Sequence, residues 1–238
     1  VIADPLTTTD DGVLGAATGG DRRWLEVRAR RLVEAGADAL DLNASSLGSQ
    51  EAAVLAWMAE IVEAVVDVPL SLDGPEPRVL AQVGRGRRVP PILNSWSLEQ
   101  SIGSELLEAL GRDGTRLVVQ LRRGQRLPRD GRERSDWADE AVECWAEHGL
   151  RADRLLLDGV ALPWGDDLGA GRGLLEFVAR SAADHPERTT LVGLGNVGHG
   201  TAAPLDAQRK WLEILCEAGL GAVLLDPTHR ELHPLLRG

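Results

Sequence analysis

The strongest constraint on this chain is a regular alternation of two kinds of segment. Short apolar runs rich in Val, Leu and Ile recur at residues 1–6, 39–43, 68–73, 90–94, 116–121, 154–158, 190–196 and 222–226. Continuous apolar runs of this length read as strands buried on both faces, the pattern of a parallel sheet. Between them lie longer stretches with helical spacing: 21–35, 50–66, 76–84, 100–111, 132–148, 170–184, 205–218 and a short tail from 229. Several stop at a glycine, as at Gly36, Gly111, Gly149 and Gly219, where a left-handed residue ends a helix. Eight strands alternating with eight helices over 238 residues predict an α/β fold, a single (β/α)8 TIM barrel spanning 1–238 as one domain. A doubly wound sheet alternates in the same way. No linker, Pro/Gly-rich boundary or composition shift divides the chain, and that favours the closed barrel.

Charge and composition narrow the function. Lys plus Arg is 26 and Asp plus Glu is 37, a net charge of −11. Nucleic acid rewards dense positive charge, so none is expected as a partner. No apolar run approaches the ~20 residues of a membrane span, and no basic-then-apolar leader is present. The expectation is a cytoplasmic protein with no membrane contact. Cys144 and Cys216 stand apart with no CxxC, and buried unpaired helix cysteines are expected. His229 and His233 are four apart, but Pro234 and polar neighbours mark a surface tail, so no metal site is expected. With Lys210 the single lysine, Schiff-base chemistry is not expected either.

In a βα barrel the chemistry gathers at the C-terminal ends of the strands. Here those ends are polar: Asp41 and Asn43, Asp73, Asn94, Gln120, Asp158, Asn196 and Asp226. After runs of Leu and Val such residues are costly unless they bond to something. A ring of Asp and Asn suits a flat heterocycle with amide and amidine edges, and its few cations suit phosphate poorly. The competing reading is that each residue caps the helix that follows its strand.

Six segments carry a more specific signal. GADALDLN (36–43), VPLSLD (68–73), ILNS (92–95), LLLDGVALP (155–163), VGLGNVGHG (192–200) and AGLGAVLLDP (218–227) occur in this order. Together they resemble the pterin-binding barrel family, which includes dihydropteroate synthases and methyltetrahydrofolate:corrinoid methyltransferases. The methyltransferase branch is the closer match, over roughly residues 24–228. The resemblance implies that Asp73, Asn94 and Asp158 hydrogen-bond the pterin ring, because a carboxylate accepts two N–H bonds from an aminopyrimidine edge. It also implies that Asn196 sits near the methyl-bearing ring nitrogen and stabilises charge there as the methyl departs. Asn43 and Gln120 are expected to line the same mouth. His199 and Asp226 are candidates for supporting or substrate-tail contacts. The implied reaction moves a methyl group from methyltetrahydrofolate, or a related reduced pterin, to the Co(I) centre of a corrinoid (cobalamin) held by a partner protein. A homodimer is implied by the resemblance alone.

The chain departs from that pattern in four places. Its opening, VIADPLTTTDDG, replaces a GERIN-like first strand and is closer to the TPDSFSDGG opening of the synthases. Gly74 follows Asp73 where Ser is usual, Gly159 follows Asp158 where Pro is usual, and GLSNVS has become GLGNVG. A synthase-like enzyme ranks second, because no SRK-like motif follows the seventh strand and no Arg-x-His lies near the eighth. A non-catalytic pterin-binding subunit of a methyltransferase complex is the third reading. Residues 112–134 hold eight arginines against three acids, read either as a patch attracting an acidic substrate tail or partner or as a solvated loop. Trp96 and Trp164 fall just past strand ends, where each either walls the pterin site or packs in the core.

Overall fold

The computed structural model describes residues 1–163, 168–198 and 202–235. Trp164 and His199 lie outside the described residues. The strands are β1 (Ile2–Thr7), β2 (Ala39–Asn43), β3 (Leu70–Asp73), β4 (Ile92–Ser97), β5 (Arg116–Gln120), β6 (Leu155–Asp158), β7 (Thr189–Gly193) and β8 (Ala222–Leu225). They follow one another in the order β1 to β8 and close into a barrel. The protein is therefore a (β/α)8 TIM barrel, as the alternation predicts.

The α-helices among the described residues are α1 (Asp11–Gly19), α2 (Arg22–Glu34), α3 (Glu51–Glu63), α4 (Pro77–Gly84), α5 (Ser104–Gly111), α6 (Gly131–Glu147), α7 (Leu168–Asp184) and α8 (Pro204–Glu217). Seven answer to helical stretches of the sequence. The eighth does not: α1 is an extra helix between β1 and α2, and the expected tail helix is instead a short 3-10 segment, Arg230–Leu235, interrupted by Pro234. The reason is local. Asp10 caps α1 by accepting from the Gly12 and Val13 amides at 2.9 and 3.0 Å, and Gly20 ends it in the left-handed region at φ 70°. Those caps supply the partners that the first amides and last carbonyls of any helix lack. The seventh strand also ends earlier than expected. It stops at Gly193, and Leu194–Gly198 continue as a 3-10 turn.

The chain forms two compact units. The first comprises Val1–Trp96, Ile102–Leu117 and Asp226–Thr228. Its core is aliphatic: Leu6, Leu25, Leu32, Leu40, Leu42, Leu55, Met58, Ile61 and Leu72 are wholly buried. Within β2, Leu40 and Leu42 alternate with Asp41 and Asn43, so one face of the strand is apolar and the other polar. The second unit comprises Ser97–Ser101, Val118–Leu225 and the chain from His229. Trp145, Trp137 and Phe177 are its large buried aromatic side chains. The cysteines depart from expectation: both are free, but Cys144 is only half-buried and Cys216 is exposed, because each falls on the outward side of its amphipathic helix. No helix of the described residues is long and apolar enough to cross a membrane.

Candidate functional site

In the first unit the strand register builds a polar row. Asn43 pairs with Asp73 across β2 and β3, and Asp73 with Asn94 across β3 and β4. One step of two residues earlier, Asp41 pairs with Ser71. Residues paired in a parallel ladder, and residues two apart on one strand, project to the same side. Five polar side chains thus share one face. Asn43 Nδ2 donates to Asp73 Oδ2 at 2.7 Å. Asn94 Nδ2 donates to Asp41 Oδ1 at 3.1 Å, and Ser71 Oγ donates to the same oxygen at 2.5 Å. The amide oxygen of Asn43 is taken by the Ser45 amide and hydroxyl at 2.9 and 2.7 Å, which fixes its nitrogen towards Asp73. With its own nitrogen committed to Asp41, Asn94 has its amide oxygen to offer a ligand N–H.

Asp41 is 2% exposed. Burial raises its carboxyl well above the ordinary aspartate range, and the neighbouring Asp73 charge adds to this against the Ser71 and Asn94 hydrogen bonds. Burial also raises Asp73, opposed by the hydrogen bonds from Asn43 and Asp41. Two carboxyls this close do not both ionise readily, so the pair holds a proton between them at pH values where isolated aspartates are bare. Asp4 joins the group: burial, then the charge of Asp226, pushes it up to about 6. Asp226 lies just past β8. Its Oδ1 accepts from the Thr228 amide and hydroxyl at 2.8 and 2.7 Å, and its Oδ2 lies 3.4 Å from Arg28 Nη2. The capping reading fails for Asp73 and Asn94, because the residues that precede α4 and α5 as caps are Glu76 and Gly103.

The second unit carries the other strand-end residues. Gln120, at the end of β5, accepts at Oε1 from Arg122 Nε at 2.8 Å, and Arg122 also donates to the Gly124 carbonyl at 3.1 Å. Asp158 ends β6 and is buried; its Oδ1 accepts from the Val160 amide at 2.9 Å. Asn196 lies on the 3-10 turn after β7 and is exposed. Its Nδ2 comes within 4.0 Å of where a side chain on Gly193 would begin, so the amide folds back over a glycine.

The arginine-rich segment resolves largely as structure. Arg123 and Arg126 stack on the Trp137 ring at 5.2 and 4.8 Å. Arg123 also pairs with Glu140, and Arg126 and Arg129 pair with Glu133. These contacts hold Glu133 at about 2, first through the Arg129 backbone amide and then through the two guanidinium groups. Trp96 is 3% exposed and serves the core.

The structure thus brings Asn43, Asp73 and Asn94 together in the first unit, with Asp226 reaching them only through its charge on Asp4, and places Gln120, Asp158 and Asn196 on strand ends or the turn beyond in the second. Asp4, Asp41 and Ser71 belong to the first cluster as well; of these only Asp41 is named among the polar strand ends of the sequence. The period of two marks Asp41 and Ser71, each two residues before a predicted site residue. Asp4 is hidden by the register shift between Ala3 and Leu6 of β1.

The family model described as "Pterin binding enzyme" matches residues 8–221. A methylcorrinoid:tetrahydrofolate methyltransferase of Eubacterium limosum is 25% identical over 237 residues, covering 98% of this chain and 86% of that protein. Among solved structures, dihydropteroate synthase from Xanthomonas albilineans in complex with 7,8-dihydropteroate superposes with a TM-score of 0.74 at 18% identity, covering 99% of this chain and 89% of that one. Dihydropteroate synthase from Thermus thermophilus gives 0.70 at 23% identity, covering 90% and 86%. At such identities the synthases share the fold.

Proposed function

The chain belongs to the pterin-binding enzyme family, and from that premise we propose that it is a methyltransferase acting between a reduced folate and a corrinoid protein, working as one domain over 1–238. The observation that carries the reading is the paired row Asn43, Asp73 and Asn94, with acceptor oxygens on adjacent strands. That acceptor set fits a pterin: an aminopyrimidine edge presents neighbouring N–H groups, and carboxylate and amide oxygens accept them. Full-length similarity to a methylcorrinoid:tetrahydrofolate methyltransferase supports the reaction class.

The residues divide the work. Asp73, Asn94 and Asp158 bind and orient the pterin ring. Asn43 holds Asp73 in place through its 2.7 Å bond, and Gln120 adds a further polar contact. Asn196 is the catalytic residue: its amide stabilises the charge that gathers on the ring nitrogen as the methyl group is exchanged, an effect realised mainly in the transition state. Methyltetrahydrofolate is the methyl donor and a corrinoid on a partner protein is the acceptor. By microscopic reversibility the same groups serve the opposite direction, the one in the relative's name. A homodimer is expected.

Tryptophan fluorescence tests this. Methyltetrahydrofolate should quench saturably, while a pterin pyrophosphate should not quench more strongly and should not condense with p-aminobenzoate. Preferential binding and condensation of the synthase substrates would replace this reading with the synthase one.

A further inference from the structure

Asp158 is held by a turn that an arginine from another element locks from behind. β6 ends at Asp158, and the chain turns through Gly159 and Val160. Val160 sits at φ 54°, the left-handed region that a β-branched residue adopts only when its surroundings impose it. Two contacts impose it here. Val160 N–H donates to Asp158 Oδ1 at 2.9 Å, and Arg134 Nε donates to the Gly159 carbonyl at 3.0 Å. Arg134 lies in the first turns of α6 and is 1% exposed. Its Nη1 also reaches the Asp130 carbonyl at 3.3 Å.

The packing around that guanidinium is built from glycines. A side chain on Gly173 of α7 would begin 2.9 Å from Arg134 Nη1. One on Gly131 of α6 would begin 2.8 Å from the Gly173 carbonyl, and one on Gly159 would begin 2.4 Å from Leu174 Cδ1 and 3.2 Å from Phe177 Cδ1. The two helices therefore approach closely enough to carry a buried arginine to the β6 turn only because these positions lack Cβ atoms. This accounts for Gly159 where the resembled family has proline. A charged group this deeply buried is costly unless its hydrogen bonds are made, so the position is rigid.

We propose that Arg134 is a positioning residue for pterin recognition: by clamping the Gly159 carbonyl it fixes the Asp158–Val160 turn, and with it the direction of the Asp158 carboxylate. The assignment rests on the reading of Asp158 as a pterin-binding residue. Arg134 acts through Asp158 and touches no substrate itself.

The test is a double-mutant cycle on the full chain, read as methyltetrahydrofolate affinity by tryptophan fluorescence, with thermal unfolding and circular dichroism in parallel. Arg134→Lys keeps the charge but loses the planar fork that serves both carbonyls. It should weaken affinity about tenfold, the effect of one lost buried hydrogen bond. In an Asp158→Ala background the same substitution should change affinity by less than about twofold, because its effect has lost its intermediary. A purely structural arginine would give the same loss in both backgrounds, and that result overturns the proposal. Unchanged affinity in folded Arg134→Lys overturns it too. If the lysine variant does not fold, Arg134→Met, with no charge to bury, carries the same expectations. A wild-type chain that binds no methyltetrahydrofolate overturns the parent reading instead, so the two failures are distinguishable.

Discussion

Asn94 on β4 donates to Asp41 on β2 at 3.1 Å, reaching past the intervening strand β3. The same Asp41 oxygen receives Ser71 from β3. One buried carboxyl thus ties together the three strands that present Asn43, Asp73 and Asn94. The row Asn43, Asp73 and Asn94 is set by a polar layer one step deeper in the sheet.

That layer predicts the effect of Asp41→Asn. An amide oxygen keeps both incoming hydrogen bonds, and the new NH2 group donates to Asp73. Asp41 has a raised pKa in the folded state, so it favours the fold while protonated, and that contribution is lost as pH rises above the ordinary aspartate value through the raised one. At neutral pH the variant should be more stable than wild type by on the order of 1 kcal/mol, and the advantage should vanish at acid pH. Urea melts at several pH values measure this; a variant less stable at pH 7 contradicts it.

Asp4 makes a separate prediction. Burial and the Asp226 charge raise it from 3.8 to about 6. The folded chain binds this proton more tightly than the unfolded chain, so stability falls as pH rises across that window and levels off above it. Asp4→Asn should flatten this part of the stability–pH curve. An unchanged slope between pH 4 and 6 would show that Asp4 is not the group responsible.

The arginine segment should prove structural. Arg126 stacks on Trp137 at 4.8 Å and pairs with Glu133, so Arg126→Ala should cost about 0.5–1 kcal/mol of stability. Methyltetrahydrofolate affinity should not change. A loss of affinity exceeding the loss of stability would return this patch to a role in substrate attraction.

Binding and chemistry should separate between Asp73 and Asn196. Asp73→Ala should weaken pterin binding by roughly 1–3 kcal/mol, the range for charge-assisted bonds at a buried site. Asn196→Ala should lower kcat far more than it raises the dissociation constant. Equal effects of Asn196→Ala on both would give it a binding role instead.

Much of this was legible in the sequence, and the exceptions have physical causes. Eight apolar runs announced the strands because strands buried on both faces cannot hide. The helix Asp11–Gly19 stayed invisible because DGVLGAATG has glycines within it and a weak apolar stripe; its caps, Asp10 and Gly20, make it. Asp73 and Asn94 were found at strand ends, where polarity is abrupt. Asp41 and Ser71 lie one pleat deeper, and only the register shows that they meet. Arg134 looked like one more arginine in a basic loop, since nothing local distinguishes a buried guanidinium from a solvated one. Its placement depends on Gly131, three residues before it, and on Gly159 and Gly173, which are distant in sequence.

Methyl transfer between a folate and a corrinoid is the proposed activity. Its most direct test is to mix the protein with methyltetrahydrofolate and cob(I)alamin under reducing conditions and follow absorbance at the methylcobalamin bands. Methylcobalamin should form at a rate that scales with protein concentration and collapses in Asn196→Ala. Saturable folate binding with no methylcobalamin formed, even with a competent corrinoid protein as acceptor, would contradict it and leave a pterin-binding subunit in its place.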